Sequence, residues 1–219
     1  MKKSISIIFL LVFFVSSLTA QSQQDRLAEQ KGQQLLKEAS QHIKSFGTLK
    51  IHFTYEMENA SQNVKEVMKG EVISQGDRYR MNLDGNLFVS DGKNTWSYIE
   101  EMNEVYINLL ENSEGGLTPT SILNEFETQF RAKHIKQETH NGKRVEIIDL
   151  VPTTPQAFYK YRVAIDATSK MLVNTIAYDR EGGIYTYTLD RVETNPTVSA
   201  NQFTFNAASF PGIEIIDLR

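Results

Sequence analysis

The sequence contains no cysteine among its 219 residues, and this absence removes several classes of protein at once. It excludes a disulfide framework, a thiolate zinc site, a catalytic thiol and acylation of the mature chain at an N-terminal cysteine. Proline and glycine are also scarce, with 5 and 12 residues, so a collagen-like repeat is excluded. The net charge of −4 does not suggest binding to nucleic acid, and we therefore expect no nucleic-acid partner.

Long hydrophobic runs are confined to the N-terminus, where the residues are typical of an export signal. Lys2 and Lys3 precede an apolar stretch over residues 5–15, and small residues lead to Ala20. We expect residues 1–20 to be a signal peptide that is removed on export to the periplasm. The alternative is an uncleaved membrane anchor, although the stretch is short for a transmembrane helix.

The remaining residues, 21–219, carry two kinds of hydrophobic periodicity. Between residues 24 and 45, apolar residues recur about every 3.6 positions, which predicts one amphipathic helix that ends before Phe46-Gly47. From Leu49 to Glu58, apolar and polar residues alternate strictly, which is typical of a strand with one buried face. Further segments of strand character follow, separated by glycine-containing turns, and the last of them is Gln202–Phe205.

A second helix is predicted where the strands are interrupted. Thr118 is a suitable N-cap, Pro119 suits the first helical position, and apolar residues would share one face up to Gln129. The chain is therefore predicted to be mainly β with two or more helices in a single domain. Its residues alone leave two interiors open, which are a curved sheet whose helices cover a hydrophobic cavity and a filled core under the same helices.

Catalytic and metal-binding patterns are missing from the sequence. The four histidines show no metal-ligand spacing; they are His42, His52, His134 and His140. No serine lies in a Gly-x-Ser-x-Gly turn, and no glycine-rich loop opens a helix for a phosphate group. We therefore predict that the protein is not an enzyme and has no metal or cofactor. An enzyme acting on a glycan or lipid stays as an alternative, because a separated pair of carboxylates has no sequence signature.

Several blocks of the sequence resemble one protein family. Residues 88–98 read FVSDGKNTWSY and are followed by Asn103-Glu104-Val105. Further matching blocks follow in the same order; they are Thr118-Pro119 with Ile122-Leu123, and residues 198–205 with Pro211-Gly212-Ile213-Glu214. On these motifs the chain resembles the LolA-type periplasmic outer-membrane lipoprotein carrier proteins.

The resemblance implies both a fold and a function. The fold would be a single antiparallel, incompletely closed β-barrel, a half-barrel whose helices form a lid over a hydrophobic cavity. The function would be that of a soluble periplasmic carrier that shields the acyl chains of lipoproteins, or of a related acylated lipid, between inner and outer membrane. Implied partners are this cargo, an inner-membrane releasing complex and an outer-membrane acceptor, with the carrier itself a monomer. The alternative on the same fold is a lipid- or lipoprotein-sensing binding module.

Candidate site residues follow from the strands and from the second helix. The apolar residues that we expect to form the lipid-binding wall are Phe53, Tyr55, Met81, Leu87, Val89, Trp96, Tyr98, Val105 and Ile107. The apolar face of the predicted lid helix consists of Ile122, Leu123 and Phe126. Burying a sixteen-carbon chain is worth on the order of 12 kcal/mol, so an apolar wall with a movable lid suits a carrier that must also release its cargo.

One position departs from the family pattern. Relatives commonly have Arg-Pro in the turn before the strand that starts at Tyr79, where this chain has Gln75-Gly76. The resemblance implies that this position is a latch that ties the barrel to the lid. Gln75 can form a hydrogen bond there but carries no charge. Arg78 and Arg80 lie nearby, although the alternation places Arg80 on the polar face of its strand.

We predict that protein expressed with its own N-terminus begins near Gln21 and is released from the periplasm by osmotic shock. The reason is the small-residue site that ends at Ala20. Intact-mass measurement and N-terminal sequencing of the released protein test this. A full-length chain starting at Met1 and recovered in the membrane pellet would contradict it.

Overall fold

The computed structural model describes the backbone of residues 4–112, 126, 128–140, 142–199 and 201–219, and side chains from Ser22 onward except at Asn112. Its long helix, α1, spans Ser4–Lys44. The predicted amphipathic helix is therefore confirmed, and helical backbone also continues through most of the predicted signal peptide. The side chains of the predicted signal peptide are not among those that the structure describes.

The C-terminal end of α1 lies where the sequence predicted it. The Ser45 hydroxyl donates to the His42 carbonyl at 2.6 Å, and the amide of Phe46 donates to the carbonyl of Ile43 at 3.2 Å. These bonds satisfy carbonyls that the last turn would otherwise leave without partners. The chain can then turn directly into the first strand.

The number of helices differs from the prediction. In the described ranges α1 is the one α-helix, where two or more were expected, and two three-residue 3-10 helices span Leu110–Asn112 and Ala207–Ser209. Most of the predicted second helix falls on residues 113–125 and 127, which lie outside the description. Its described residues, at 126, 128 and 129, are helical and lead directly into a strand at Phe130.

Twelve strands follow α1, which confirms the mainly β prediction. They are β1 (Leu49–Asn59), β2 (Val64–Gln75), β3 (Arg78–Leu83), β4 (Asn86–Asp91), β5 (Asn94–Ile99), β6 (Glu104–Leu109), β7 (Phe130–His140), β8 (Lys143–Pro152), β9 (Phe158–Asp166), β10 (Leu172–Asp179), β11 (Gly183–Thr194) and β12 (Glu214–Asp217). All belong to one sheet in the order β12-β6-β5-β4-β3-β2-β1-β11-β10-β9-β8-β7. The first and last strands of this order do not pair in the described structure, so the sheet is open.

The C-terminal part of the sheet differs from the prediction in two respects. The segment Gln202–Phe205, predicted as a strand, is a turn followed by irregular chain, and the last strand is Glu214–Asp217. This strand runs parallel to β6, whereas every other neighbouring pair is antiparallel. In place of ladder bonds, this segment is attached through its side chains: the Arg78 guanidinium lies over the Phe203 ring, and Phe205 packs beside Trp96.

The strand register assigns each side chain to one of two faces. Across four strands, Ile51 lies opposite Val72, Val72 opposite Met81, and Met81 opposite Phe88. On the other side of β1, Tyr55 lies opposite Tyr187. Because paired residues share a face, all of these residues lie on the same side of the sheet, the side on which α1 packs. We call it the helix-side face, and the other side the opposite face.

The main core lies between α1 and the part of the helix-side face formed by β7 to β10 and the start of β1. From α1 it takes Leu35, Leu36, Ala39 and Ile43, and from the rest of the chain Leu49, Phe126, Phe130, Ala132, Ile148, Leu150, Val163, Ile165 and Leu172. All of these residues are buried. We call this the filled core, because one half of the sheet is here covered by one face of one helix.

Gly32 allows α1 to lie directly on the edge strand β7. A Cβ atom at this position would lie 2.9 Å from the amide nitrogen of His134 and 3.2 Å from the carbonyl carbon of Ala132. These are backbone atoms in a paired strand, so they cannot move away as the end of a flexible side chain could. Because Gly32 has no side chain, the helix axis can lie close to the sheet at this point.

A buried carboxylate fixes the same region of the helix. Glu146 on β8 contacts His134 Nε2 at 2.6 Å, accepts a bond from Gln137 Nε2 at 2.8 Å and lies 3.4 Å from Lys31 Nζ on α1. Burial would raise the pKa of Glu146, but hydrogen bonds from His134 and Gln137 outweigh it and hold that pKa below its ordinary value. This group therefore stabilises the fold above the unfolded pKa of glutamate, and the contribution is lost as the pH falls through the folded pKa.

We predict that Gly32→Ala destabilises the protein by about 1–2 kcal/mol, although alanine is the better helix former by about 1 kcal/mol. The added methyl group must push α1 away from β7. Urea unfolding measures the effect, with Gln30→Ala, at an exposed position of the same helix, as a control that should change stability by less than about 0.5 kcal/mol. Increased stability of Gly32→Ala would show that the helix does not lie this close to the strand.

Candidate functional site

A second hydrophobic cluster continues the helix-side face beyond the filled core. Its buried residues are Ile51, Phe53, Val72 and Met81, and around them lie the partly buried Tyr55, Tyr79, Leu83, Phe88 and Tyr187. We call this set the β1–β4 cluster. Leu189 and Val192 contact both it and the filled core, so the two are continuous. The partly buried members are large aromatic and aliphatic side chains, and this combination leaves apolar surface open to a ligand.

The ring of Phe53 forms the floor of this cluster. It is fully buried, and it lies over Gly70, the residue directly opposite it on β2. A Cβ atom at Gly70 would overlap this ring, so the glycine is what allows the ring to lie flat on the sheet. The Tyr187 ring packs beside it, with a centroid distance of 5.8 Å to Phe53 and 4.9 Å to Tyr55.

The tyrosines of the cluster are neutral hydroxyl groups in an apolar setting. Burial raises the pKa of Tyr55, of Tyr79 and of Tyr187, because it disfavours the phenolate, and the effect is largest at Tyr187. These residues therefore present aromatic area together with uncharged donors. Such a surface can hold an acyl chain without the strong ionic contacts that would retain it.

The opposite face has a hydrophobic cluster of its own. Its buried residues Leu87, Val89, Tyr98 and Val105 are covered by the C-terminal segment through Phe205, Phe210 and Ile213. The ring of Phe205 stacks between Phe210, at 5.2 Å, and Trp96, at 6.5 Å between centroids. The Tyr98 ring lies 4.3 Å from that of Phe210. This face of β4 to β6 is therefore closed by the chain itself.

The nine predicted wall residues are divided between the two faces. Phe53, Tyr55 and Met81 belong to the β1–β4 cluster on the helix-side face. The other six lie on the opposite face under or beside the C-terminal segment; they are Leu87, Val89, Trp96, Tyr98, Val105 and Ile107. The structure thus does not bring the nine together into one wall. The reason is the register of the β3–β4 hairpin, in which Met81 is paired with Phe88 and not with a neighbour of Phe88.

The helix-side residues that the sequence analysis missed are Ile51, Val72, Tyr79, Leu83, Phe88 and Tyr187. A local signal could have identified those on β3 and β4. Asp84 and Gly85 have positive φ angles of 48° and 84°, as in the two-residue turn typical of Asp-Gly hairpins. Such a turn fixes the pairing on either side of it, and places Met81 opposite Phe88. The long-range pairing of β1 with β11, which brings in Tyr187, has no such local signal.

The predicted lid and latch residues are only partly described. Ile122 and Leu123 lie outside the described residues, while Phe126 is buried in the filled core. Gln75 accepts a hydrogen bond from Arg78, whose guanidinium lies 5.1 Å from the centre of the Phe203 ring. Gln75 is therefore linked to the C-terminal segment through Arg78. Arg80, the other nearby arginine, donates to the carbonyl of Thr204 at 3.3 Å.

Comparison with known families identifies the chain. The family model described as outer membrane lipoprotein carrier protein LolA matches residues 44–206, which is more than half of the chain. The chain belongs to the LolA family. The resemblance seen in the sequence motifs is thereby confirmed, and the match extends from the end of α1 to the segment that covers the opposite face. No curated protein matches the chain.

Solved structures resemble this chain at low sequence identity. A conserved protein of uncharacterised function from Thermus thermophilus is 11% identical, with a TM-score of 0.56 over 85% of this chain and 99% of its own. A LolA superfamily protein from Nitrosomonas europaea is 9% identical, with a TM-score of 0.45 over 80% and 97%. The complex of MucA and MucB from Pseudomonas aeruginosa matches at 10% identity and a TM-score of 0.37, over 78% of this chain and 62% of that one.

Two other kinds of functional element are absent from the described residues. No helix in the described part of the chain is long and apolar enough to cross a membrane. The same residues contain no group of three or more histidine, aspartate or glutamate side chains placed to hold a metal ion. The β1–β4 cluster is the candidate site on the helix-side face, because its large apolar side chains are partly exposed.

We predict that Gly70→Ala destabilises the protein by about 1–3 kcal/mol, because the methyl group must displace the Phe53 ring. Urea unfolding measures this, and Lys69→Ala, at the exposed neighbouring position, should change stability by less than about 0.5 kcal/mol. Replacing the ring as well, with Phe53→Leu, should make the Gly70→Ala substitution much less costly. Additive effects of the two substitutions would contradict this contact.

Proposed function

We propose that the protein is a periplasmic carrier that shields the acyl chains of a lipoprotein, or of a related acylated lipid, against the helix-side face of its sheet. The observation that carries the proposal is the β1–β4 cluster, which is apolar, partly exposed and continuous with the filled core. Membership of the LolA family supports the same function. The proposal includes residues 21–219 as the carrier domain and residues 1–20 as its signal peptide.

The energetics favour a site of this kind. Each methylene removed from water contributes about 0.8 kcal/mol, so a long acyl chain needs contact area more than specific bonds. The cluster offers such area through the rings of Tyr79, Phe88 and Tyr187, none of which carries a charge. A cargo held mainly by apolar contact can pass to another apolar surface of equal area at little net cost. That property is what a carrier requires at both membranes.

The placement of α1 explains why the cluster is available. The helix packs against β7 to β10 and so buries the apolar residues of that half of the face. The residues on β2 to β4 make no contribution to the filled core. An acyl chain lying on them would continue the layer that α1 begins. The protein and its cargo would then together cover the face.

Donor and acceptor are proposed on the family resemblance. An inner-membrane releasing complex would load the carrier, and an outer-membrane acceptor would unload it. A monomer is sufficient for this role, because one chain supplies the whole helix-side face. A binding module that senses lipid without transferring it would have the same site, and it differs from a carrier in having no acceptor.

The test compares two phenylalanines on opposite faces. Phe88 lies in the β1–β4 cluster and Phe205 under the C-terminal segment, and both are partly buried. We predict that Phe88→Glu weakens binding of the fluorescent probe N-phenyl-1-naphthylamine by roughly tenfold or more, because a carboxylate in the site loses hydration. Phe205→Glu should leave the affinity within about twofold. Binding to the wild type should saturate at one site per chain.

Circular dichroism should show that both variants are folded, and the pair Phe88→Ser and Phe205→Ser replaces them if either is not. Mass spectrometry of lipid extracted from wild-type protein purified from its own periplasm should identify an acylated molecule. Equal probe affinity of the two folded variants, or a wild-type protein that binds no probe and carries no lipid, would overturn the proposed function. Bound lipid without transfer to outer-membrane vesicles would favour the sensing module.

A further inference from the structure

One buried hydroxyl group in the sheet has no partner. Thr175 on β10 is 7% exposed, and its Oγ1 atom is buried. No hydrogen-bond partner for this atom is found in the described part of the chain. Buried hydroxyls are nearly always paired, because leaving one unpaired costs the free energy of its lost hydration. Valine has almost the same shape and would avoid this cost. The hydroxyl therefore needs an explanation other than packing.

Thr175 lies on the helix-side face, beside the proposed site. Its register partners are Tyr187 on β11 and Val163 on β9. Val163 is fully buried in the filled core, whereas Tyr187 is a partly buried member of the β1–β4 cluster. Thr175 is thus at the boundary where the part of the face covered by α1 ends and the open part begins. An acyl chain lying on the Tyr187 side of the cluster would therefore lie beside Thr175.

We propose that Thr175 Oγ1 donates a hydrogen bond to the carbonyl oxygen of an acyl ester bound at the β1–β4 cluster. The inference rests on the proposed function and deepens it, because it names the polar group that the site recognises. An ester carbonyl is a neutral acceptor attached directly to an acyl chain. It is therefore a group that must enter an apolar site together with the chain.

The surroundings of Thr175 favour a neutral carbonyl over a carboxylate. Its neighbours on this face are Tyr187, Val163, Leu172 and Ala177, so none of them carries a positive charge. A carboxylate buried here would lose its hydration without gaining an ion pair. Tyr187 contributes an uncharged phenol, and burial raises its pKa further. An acyl ester can therefore bind where a free fatty acid cannot bind equally well.

The test measures how well methyl myristate, pentadecane and myristate displace N-phenyl-1-naphthylamine from wild-type and variant proteins. We expect Thr175→Val to weaken binding of the methyl ester by roughly three- to tenfold, the equivalent of one hydrogen bond, and to leave pentadecane within about twofold. Thr175→Ser should restore most of the ester affinity. The matched control is Thr188→Val, on the opposite face of the neighbouring strand, which should change neither affinity.

Unliganded stability provides a second readout. Because Thr175→Val removes an unpaired buried hydroxyl, its urea midpoint should be equal to or higher than that of the wild type. Equal losses of ester and hydrocarbon affinity would make Thr175 a packing residue and overturn the proposal. A lower urea midpoint with unchanged ester affinity would show that the hydroxyl is satisfied within the protein, and would also overturn it. Failure of the wild type to bind any of the three compounds would instead refute the proposed function itself.

Discussion

The area that one helix can cover sets the organisation of this protein. The sheet has twelve strands, and α1 packs its apolar face against about one half of one side. The approach is as close as backbone atoms allow, through Gly32, and a buried polar group centred on Glu146 holds it in place. Helix and sheet therefore form a compact core at one end of the face. The remaining half of that face must be covered by something else or stay partly exposed.

The opposite face of the sheet is not covered by α1. Over β4 to β6 it is covered by the C-terminal segment, whose phenylalanines stack on Trp96 and Tyr98. Over β1 and β2 it is polar, and Lys50 and His52 lie within ion-pair distance of Glu71. Neither region of this face leaves a continuous apolar surface of the kind found on the β1–β4 cluster. We therefore propose that cargo binds on the helix-side face, at the β1–β4 cluster.

The family motif illustrates this division. The Asp91 side chain of this motif accepts hydrogen bonds from the backbone amides of Lys93, at 2.8 Å, and Asn94, at 2.7 Å. These bonds stabilise the turn between β4 and β5. Its Trp96 packs under the C-terminal segment. The most recognisable residues of the sequence are therefore those that build a hairpin and attach the last segment to it. Recognition of the family from this motif was correct, and one residue of the motif, Phe88, also belongs to the β1–β4 cluster.

Local patterns in the sequence were sufficient for most of the secondary structure. Strict alternation placed β1 within a residue, and the end of α1 followed from Phe46-Gly47. What alternation cannot supply is the phase of one strand relative to the next, since both faces of β4 and β5 carry apolar residues. This relative register decides which of the predicted wall residues share a face. The Asp84-Gly85 turn was the only local indication of the register. The partner of β1 across the sheet, β11, is more than a hundred residues away, so Tyr187 could not be assigned to the site from local patterns.

The central claim is that cargo lies on the helix-side face, and crosslinking tests it most directly. An acyl ester with a photoactivatable diazirine near the end of its chain would be bound, irradiated and mapped by mass spectrometry of the digested protein. We expect adducts on residues of the β1–β4 cluster, whose partly buried aromatic side chains include Tyr55, Tyr79 and Phe88. Adducts confined to Trp96 and the segment around Phe205 would place the cargo on the opposite face and contradict the account.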